Sequence, residues 1–215
     1  PVISLGNIVV GGAGTAPMVM TILECRLEAG RRPFIAMRGY KSGARESDEA
    51  LLYRERFGDV PVVAQPDRLS GLLRLFASER GSAVDCVVLD DGFQHRQIAR
   101  DLDIVLLDAS RDPFADCPLP AGWLREPVDA IARADVVVLT HAEAADAQSV
   151  QRIGAATADL APEADGTRIS VAMRVESVSV MAAFGFPLIA GAIASGFQET
   201  VDDFAAGFAS CPSRQ

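Results

Sequence analysis

Short runs of near-continuous apolar residues, separated by stretches of helical periodicity, constrain this chain more tightly than any other feature. Val2-Ile3-Ser4-Leu5, Phe34-Ile35-Ala36-Met37, Val84-Asp85-Cys86-Val87-Val88-Leu89, Ile104-Val105-Leu106-Leu107 and Val136-Val137-Val138-Leu139 are the clearest. A strand with one wet face alternates apolar and polar residues, whereas a strand covered on both faces need not. Such runs, alternating with helices, belong to a mostly parallel sheet with helices on both faces, an α/β fold. With 215 residues, 49% of them hydrophobic, the chain can build one ample core or a large and a small domain.

The intervening segments carry ordinary helix signals. Met18 to Glu28 sets Met18, Ile22 and Cys25 at helical spacing, with Pro17 in the first turn and Gly30 as C-cap. Asp48 to Arg56 reads as a helix with Ser47 as N-cap and an acidic first turn. Asp67 to Arg80 reads as amphipathic, with Leu69, Leu72, Leu73 and Phe76 sharing one apolar face. Val128 to Arg133 reads as a short helix, and a polar helix covers roughly Asp146 to Leu160. Val60 to Val63 carries Pro61 and belongs near a sheet edge. Asp112 to Pro127 is a long proline-rich loop holding the only tryptophan, Trp123; loops of this length are usually functional or mobile. Past Ala161 the pattern weakens. Ile169 to Val180 alternates as a strand pair would, Gln198 to Phe208 suits a helix, and the tail from Ser210 reads as unstructured. The expected division is a main domain at 1–165 and, at 166–215, a remnant or the start of a smaller one.

In an open α/β sheet, ligands bind at the carboxyl ends of the strands. Two such ends carry chemistry here. Gly6-Asn7 breaks the first strand, and Ile8-Val9-Val10 runs into Gly11-Gly12-Ala13-Gly14 just before a helix. A glycine-rich loop in that position can point backbone N–H groups at a phosphate, helped by the helix dipole. A working Walker A loop would follow its last glycine with Lys and then Ser or Thr; Thr15 and Ala16 stand there instead. The competing reading is a tight glycine turn packed on the sheet. The second end is Asp90-Asp91-Gly92-Phe93-Gln94-His95, where two carboxylates follow a buried strand and Gly92 allows a sharp turn. One carboxylate there can hold Mg²⁺ and the other can ligate or orient a base. Alternatively, Asp and Gly form an ordinary capped turn.

Charge and cysteine content narrow the classes. The net charge is -9 and the 20 Lys and Arg are scattered, which argues against a nucleic-acid partner. The four cysteines show no CxxC spacing, so a zinc site and a disulfide framework are both poorly supported; Cys25 and Cys86 read as buried thiols. No apolar run is long enough to span a bilayer. The nearest candidate, Val180 to Phe197, is interrupted by Pro187 and reads as a buried segment. The chain opens on Pro1 and enters a strand at once, as a fragment or a processed product would.

The ordered set of motifs resembles the tetraacyldisaccharide 4'-kinase family of lipid A biosynthesis. The matching stretches are Ile3-Ser4-Leu5-Gly6-Asn7 with Gly11-Gly12-Ala13-Gly14 and Pro17; Arg38-Gly39-Tyr40; Asp48-Glu49-Ala50-Leu51; and Gln65-Pro66-Asp67-Arg68. Asp90 to His95 then continues to Ala99-Arg100-Asp101, and Leu119-Pro120-Ala121-Gly122 leads to Leu124-Arg125-Glu126-Pro127. Each motif is weak alone; their order over about the first 140 residues is specific. The resemblance implies a P-loop-type fold and a kinase that uses ATP and Mg²⁺. Its acceptor is the 4'-hydroxyl of tetraacyldisaccharide 1-phosphate, the lipid A disaccharide precursor. It also implies a peripheral place at the cytoplasmic face of the inner membrane.

By the same resemblance, residues 1–165 are the nucleotide-binding kinase domain. Gly11, Gly12, Ala13, Gly14, Thr15 and Ala16 form the nucleotide loop, and Asp90 and Asp91 hold Mg²⁺. Asp48 is the catalytic base, with Asp91, Gln94, His95 and Glu126 completing the catalytic set; Arg125 can face phosphate or pair with an acid. The departures are as informative. Thr15 and Ala16 replace the family's Lys-Thr, so a severe loss of rate is expected. The stretch between Arg38 and Asp48 is short, no histidine follows His141, and the family's N-terminal membrane-associating helix is not in this sequence. The alternative reading is a non-catalytic degenerate kinase acting as a nucleotide- or lipid-binding module. A dinucleotide-binding oxidoreductase fails: GxGxxG does not follow Leu5, and Arg38 rather than an acid follows the second strand.

Overall fold

The computed structural model describes residues 1–39 and 47–160, and the backbone of 169–172. Seven strands form one sheet: β1 (Val2–Asn7), β2 (Pro33–Met37), β3 (Val62–Ala64), β4 (Cys86–Leu89), β5 (Leu102–Asp108), β6 (Val136–Thr140) and β7 (Ile169–Ala172). Their order is β3-β2-β4-β1-β5-β6-β7, with every pairing parallel. Four α-helices lie between them: α1 (Thr15–Glu28), α2 (Asp48–Arg56), α3 (Arg68–Phe76) and α4 (Ala147–Asp159).

The apolar runs are continuous because both faces are covered. Alternate residues, among them Ile3, Leu5, Ile35, Met37, Val88, Ile104 and Leu106, pack with the buried sides of α1 and α2. Their neighbours point the other way. Phe34, Ala36, Val87 and Leu89 meet Leu72 of α3, and Val105, Leu107, Val137 and Leu139 meet Ile131 and Ile153. Ser4 and Asp103, register partners on β1 and β5, are buried polar residues on this second face.

From β1 the chain runs to β2 and β3 on one side, fills the gap with β4, and crosses to β5 on the other. That reversal opens a crevice at the carboxyl ends of β1 and β4, where ligands of doubly wound sheets bind. The glycine loop and the paired aspartates occupy those ends.

Several expectations change. Gly6-Asn7 does not break β1; both residues pair with β5, and beyond them only Val9 makes an isolated bridge. Helix α1 begins at Thr15 rather than Met18. Helix α3 stops at Phe76, and Gly81–Ala83 forms a separate 3-10 turn, as does Val128–Arg133. Of the apolar face read for α3 only Leu72 packs; Leu69, Leu73 and Phe76 are exposed, and Arg68 and Gly71 are buried beside Leu72. Close approach decides this. A Cβ on Gly71 would stand 2.5 Å from Val63 Cγ1, so only a glycine lets that side of the helix rest on β3.

Other readings hold. Ser47 caps α2, accepting the Ala50 N–H at 3.3 Å, and β3 is an edge strand. Cys25 and Cys86 are buried thiols. Strand β7 extends the sheet past residue 165; its expected partner, the helix at Gln198 and the tail lie outside the described residues.

Candidate functional site

The glycine loop is held open from three directions. Asn7 accepts the Val9 N–H on Oδ1 at 3.1 Å. The proline-rich loop runs alongside, with Val10 N–H donating to the Trp123 carbonyl at 2.8 Å and Arg125 N–H to the Ile8 carbonyl at 2.7 Å. The Thr140 hydroxyl donates to the Ala13 carbonyl at 3.0 Å, tying the loop to the end of β6. Gly14 then caps α1 in the left-handed conformation, at φ 80. No side chain caps this terminus and no acid lies in its first turn. The backbone donors of Thr15 and Ala16 therefore sit at a helix start suited to an anion.

The acidic turn faces this loop across the crevice. Asp90 is 4% exposed, and the Tyr53 hydroxyl donates to its Oδ2 at 2.9 Å. Burial lifts the Asp90 pKa to about 6; Glu49 and Asp91 add to the rise, while the Tyr53 hydrogen bond and Arg68 oppose it. The Tyr53 phenol is itself pushed well above its ordinary range, chiefly by burial and then by Asp90. Asp91 is the residue that turns, at φ 50. Gly92, expected to supply the turn's conformational freedom, instead supplies space: a Cβ there would stand 2.6 Å from Ser4 Oγ. Asp91 points differently from Asp90 and pairs with Arg125 at 2.6 Å. Gln94 receives Arg125 at 3.4 Å and donates to the Asn7 carbonyl at 2.9 Å, so it joins the acidic turn to the loop.

The crevice has a volume of about 310 Å³ and takes residues from both sides, including Gly11, Gly12, Gly14, Thr15 and Ala16 from the loop and Asp90 and Asp91 from the turn. Arg38, Glu49 and Arg125 add two cations and a third carboxylate. A Cβ at Gly11 or Gly12 would meet nothing within 4 Å, so the loop borders open space rather than packing as a tight turn. Among the described residues no group of three or more His, Cys, Asp or Glu could form an all-protein metal cage. Two carboxylates beside a helix start suited to an anion do fit Mg²⁺, which takes one or two protein carboxylates and shares phosphate oxygens.

The other expected site residues lie differently. Asp48 is exposed at the start of α2 and is not among the crevice residues; Glu49, one residue on, is. A helix turns 100° per residue, and the inward face of α2 is the one that buries Ala50 and Tyr53. Glu126 pairs with Arg133 at 2.9 Å, away from the crevice lining. His95 sits beneath the turn, where burial first, then Arg68 and Arg100, push its pKa down and favour the neutral ring. Tyr53 and Asn7 were not singled out from the sequence as site residues. Tyr53 had a signal: it lies four residues after Glu49, on the same helical face.

Comparison with known proteins gives matches in both sequence and fold. The family model described as LpxK, tetraacyldisaccharide-1-P 4'-kinase, matches residues 1–200. The tetraacyldisaccharide 4'-kinase of Chlorobium luteolum is 39% identical over 158 residues, covering 65% of this chain and 44% of the relative. That of Anaeromyxobacter dehalogenans strain 2CP-C is 39% identical over 175 residues, 74% of this chain and 46% of the relative. The chain thus spans less than half the length of these curated relatives. Among solved structures, LpxK from Aquifex aeolicus in complex with ATP superposes with TM-score 0.58 at 37% identity, covering 66% of this chain and 49% of that one. HypB from Helicobacter pylori, at 12% identity and TM-score 0.51, covers 82% of this chain and 80% of its own and shares the fold alone.

Proposed function

Since the chain belongs to the tetraacyldisaccharide-1-P 4'-kinase family, we propose that its crevice is the nucleotide half of an ATP-dependent lipid A disaccharide kinase. The observation that carries this is the opposition of an uncapped, glycine-led helix start to the Asp90-Asp91 turn across one cavity.

ATP is a substrate, its phosphates lying against the backbone donors of residues 11–16. Asp90 and Asp91 would hold Mg²⁺, which when bound neutralises charge on the phosphates. Arg125 and Arg38, both lining the cavity, supply the positive charge that the loop itself has lost at Thr15. The acceptor is the 4'-hydroxyl of tetraacyldisaccharide 1-phosphate. Its oxygen forms a bond to the γ-phosphorus as the bond to the bridging oxygen of ADP breaks. The hydroxyl proton passes to a carboxylate in the first turn of α2. The family motif assigns that role to Asp48, with Glu49 beside it on the crevice side. Gln94 and His95 act from behind the metal-holding turn, and Glu126 acts through its ion pair with Arg133. The protein works at the cytoplasmic face of the inner membrane, where its glycolipid substrate resides.

A second reading, a nucleotide-binding module without turnover, is favoured by Thr15 and Ala16. The test is phosphorylation of tetraacyldisaccharide 1-phosphate with ATP and Mg²⁺, run beside Thr15→Lys/Ala16→Thr. Slow native turnover, raised at least tenfold in the double variant, is expected. Nucleotide binding with no turnover in either protein would favour the module. No nucleotide binding in either would overturn both readings. Asp48→Asn and Glu49→Gln, assayed separately, identify the base by which one removes turnover while leaving nucleotide binding intact.

A further inference from the structure

Two motifs remain without a role: the segment ending at Arg68 and the one containing Arg100. Both place a guanidinium beneath the acidic turn. Arg68, 3% exposed at the start of α3, donates from Nη1 to the Asp91 carbonyl at 2.9 Å. One Arg100 nitrogen, Nη2, donates to three carbonyls: Gly92 at 2.7 Å, His95 at 2.9 Å and Phe93 at 3.2 Å. Arg100 is itself fixed by Asp103 of β5 at 3.5 Å.

The turn needs such support. Asp91 carries a side chain at φ 50, a conformation few residues other than glycine adopt. Four carbonyls of one short turn point at two cations, so none is left unpaired, and charge-assisted bonds are stronger than neutral ones. Burial, and then the same two arginines, disfavour the charged form of His95. The burial of Arg68 also fits the orientation of α3. Turning that helix to bury Leu69 and Leu73 would carry Arg68 away from the turn.

We propose that Arg68 and Arg100 are positioning residues that clamp the Asp90-Asp91 turn through its backbone carbonyls. They set the divergence of the two carboxylates on which Mg²⁺ binding depends. This role rests on the nucleotide-site reading above, whereas the clamp itself can be tested without ligand.

The experiment uses the full chain as Arg68→Met, Arg68→Lys and Arg100→Met, with Leu72→Ala as control. Leu72 is buried on the same helix and its apolar side chain has no group that can donate to the turn's carbonyls, so its variant reports loss of packing alone. The first readout is amide hydrogen exchange at Gly92 and His95, whose N–H groups donate to Leu5 and Gly92 carbonyls. Both methionine variants should exchange at least tenfold faster there, relative to amides of β5, while Leu72→Ala should change this ratio less than twofold. The second is the Mg²⁺ concentration giving half-maximal ATP binding, which should rise tenfold or more in the methionine variants and recover in part in Arg68→Lys. Unchanged exchange at Gly92 and His95 in folded methionine variants overturns the clamp. So does a Leu72→Ala effect as large as theirs. If exchange rises as expected but the native chain binds no ATP with Mg²⁺, the clamp stands and the functional reading falls.

Discussion

Asp90 carries the clearest consequence of burial at a single residue. Its folded pKa, about 6, lies above the ordinary 3.8, so between these values the folded chain binds more protons than the unfolded one. Its contribution to stability therefore falls as pH rises from about 4 to about 6, then levels off. A rise of this size is worth on the order of 3 kcal/mol. Asp103, also raised by burial, acts in the same direction, so the Asp90 share must be read by difference. Urea denaturation of the metal-free protein from pH 4 to 7 should show Asp90→Asn losing less stability across that window than the native chain. Parallel curves would contradict the assignment. Tyr53→Phe removes the hydroxyl that donates to buried Asp90 and should cost about 1–3 kcal/mol. It should also raise the Asp90 pKa further, which the same titration measures.

Helix α3 shows how an element's orientation is settled. Its sequence offers one apolar face, Leu69, Leu72, Leu73 and Phe76, and the structure divides it. Leu72 is buried and the other three are exposed, because Gly71 admits β3 closely and Arg68 reaches the acidic turn. Leu73→Lys should accordingly leave stability within about 0.5 kcal/mol of the native value, whereas Leu72→Ala should cost about 2–5 kcal/mol. Thermal or urea melts of the two variants decide which of these leucines packs. Reversed magnitudes would bury Leu73 in place of Leu72. Helix α2 illustrates the same ambiguity over one residue. Ser47 and the acidic first turn were legible as a helix start, yet which of Asp48 and Glu49 faces the crevice depended on how Ala50 and Tyr53 packed.

At the scale of the whole molecule, the crevice draws on segments that are far apart in sequence. The loop after β1, the end of β2, the first turn of α2, the turn after β4 and the proline-rich loop all contribute. A ligand bridging them should stabilise the fold as a unit. ATP with Mg²⁺ at about 100 times Kd should add ~2.7 kcal/mol, visible as a higher melting temperature. Chelation by EDTA should remove most of that gain, and Asp90→Asn should show little of it. An equal gain with and without Mg²⁺ would place the nucleotide elsewhere than against the acidic turn. Among the described residues no helix is long and apolar enough to cross a membrane.

The amino-acid sequence by itself determined the parallel sheet, most strand and helix positions, the glycine loop and the acidic turn. These rest on local patterns: apolar runs, caps and turn residues within a few positions of one another. The same sequence could not say which face of α3 is buried, or which carboxylate of α2 meets the crevice. Nor could it show that Tyr53 and Arg125 would pair with Asp90 and Asp91. Those depend on contacts across 34 and 37 residues and on which side chains can approach closely. It also gave the sharp turn to Gly92, where packing against Ser4 instead demands a glycine and leaves Asp91 to bend. Local pattern specifies what each segment is; only the assembled sheet decides what each side chain faces.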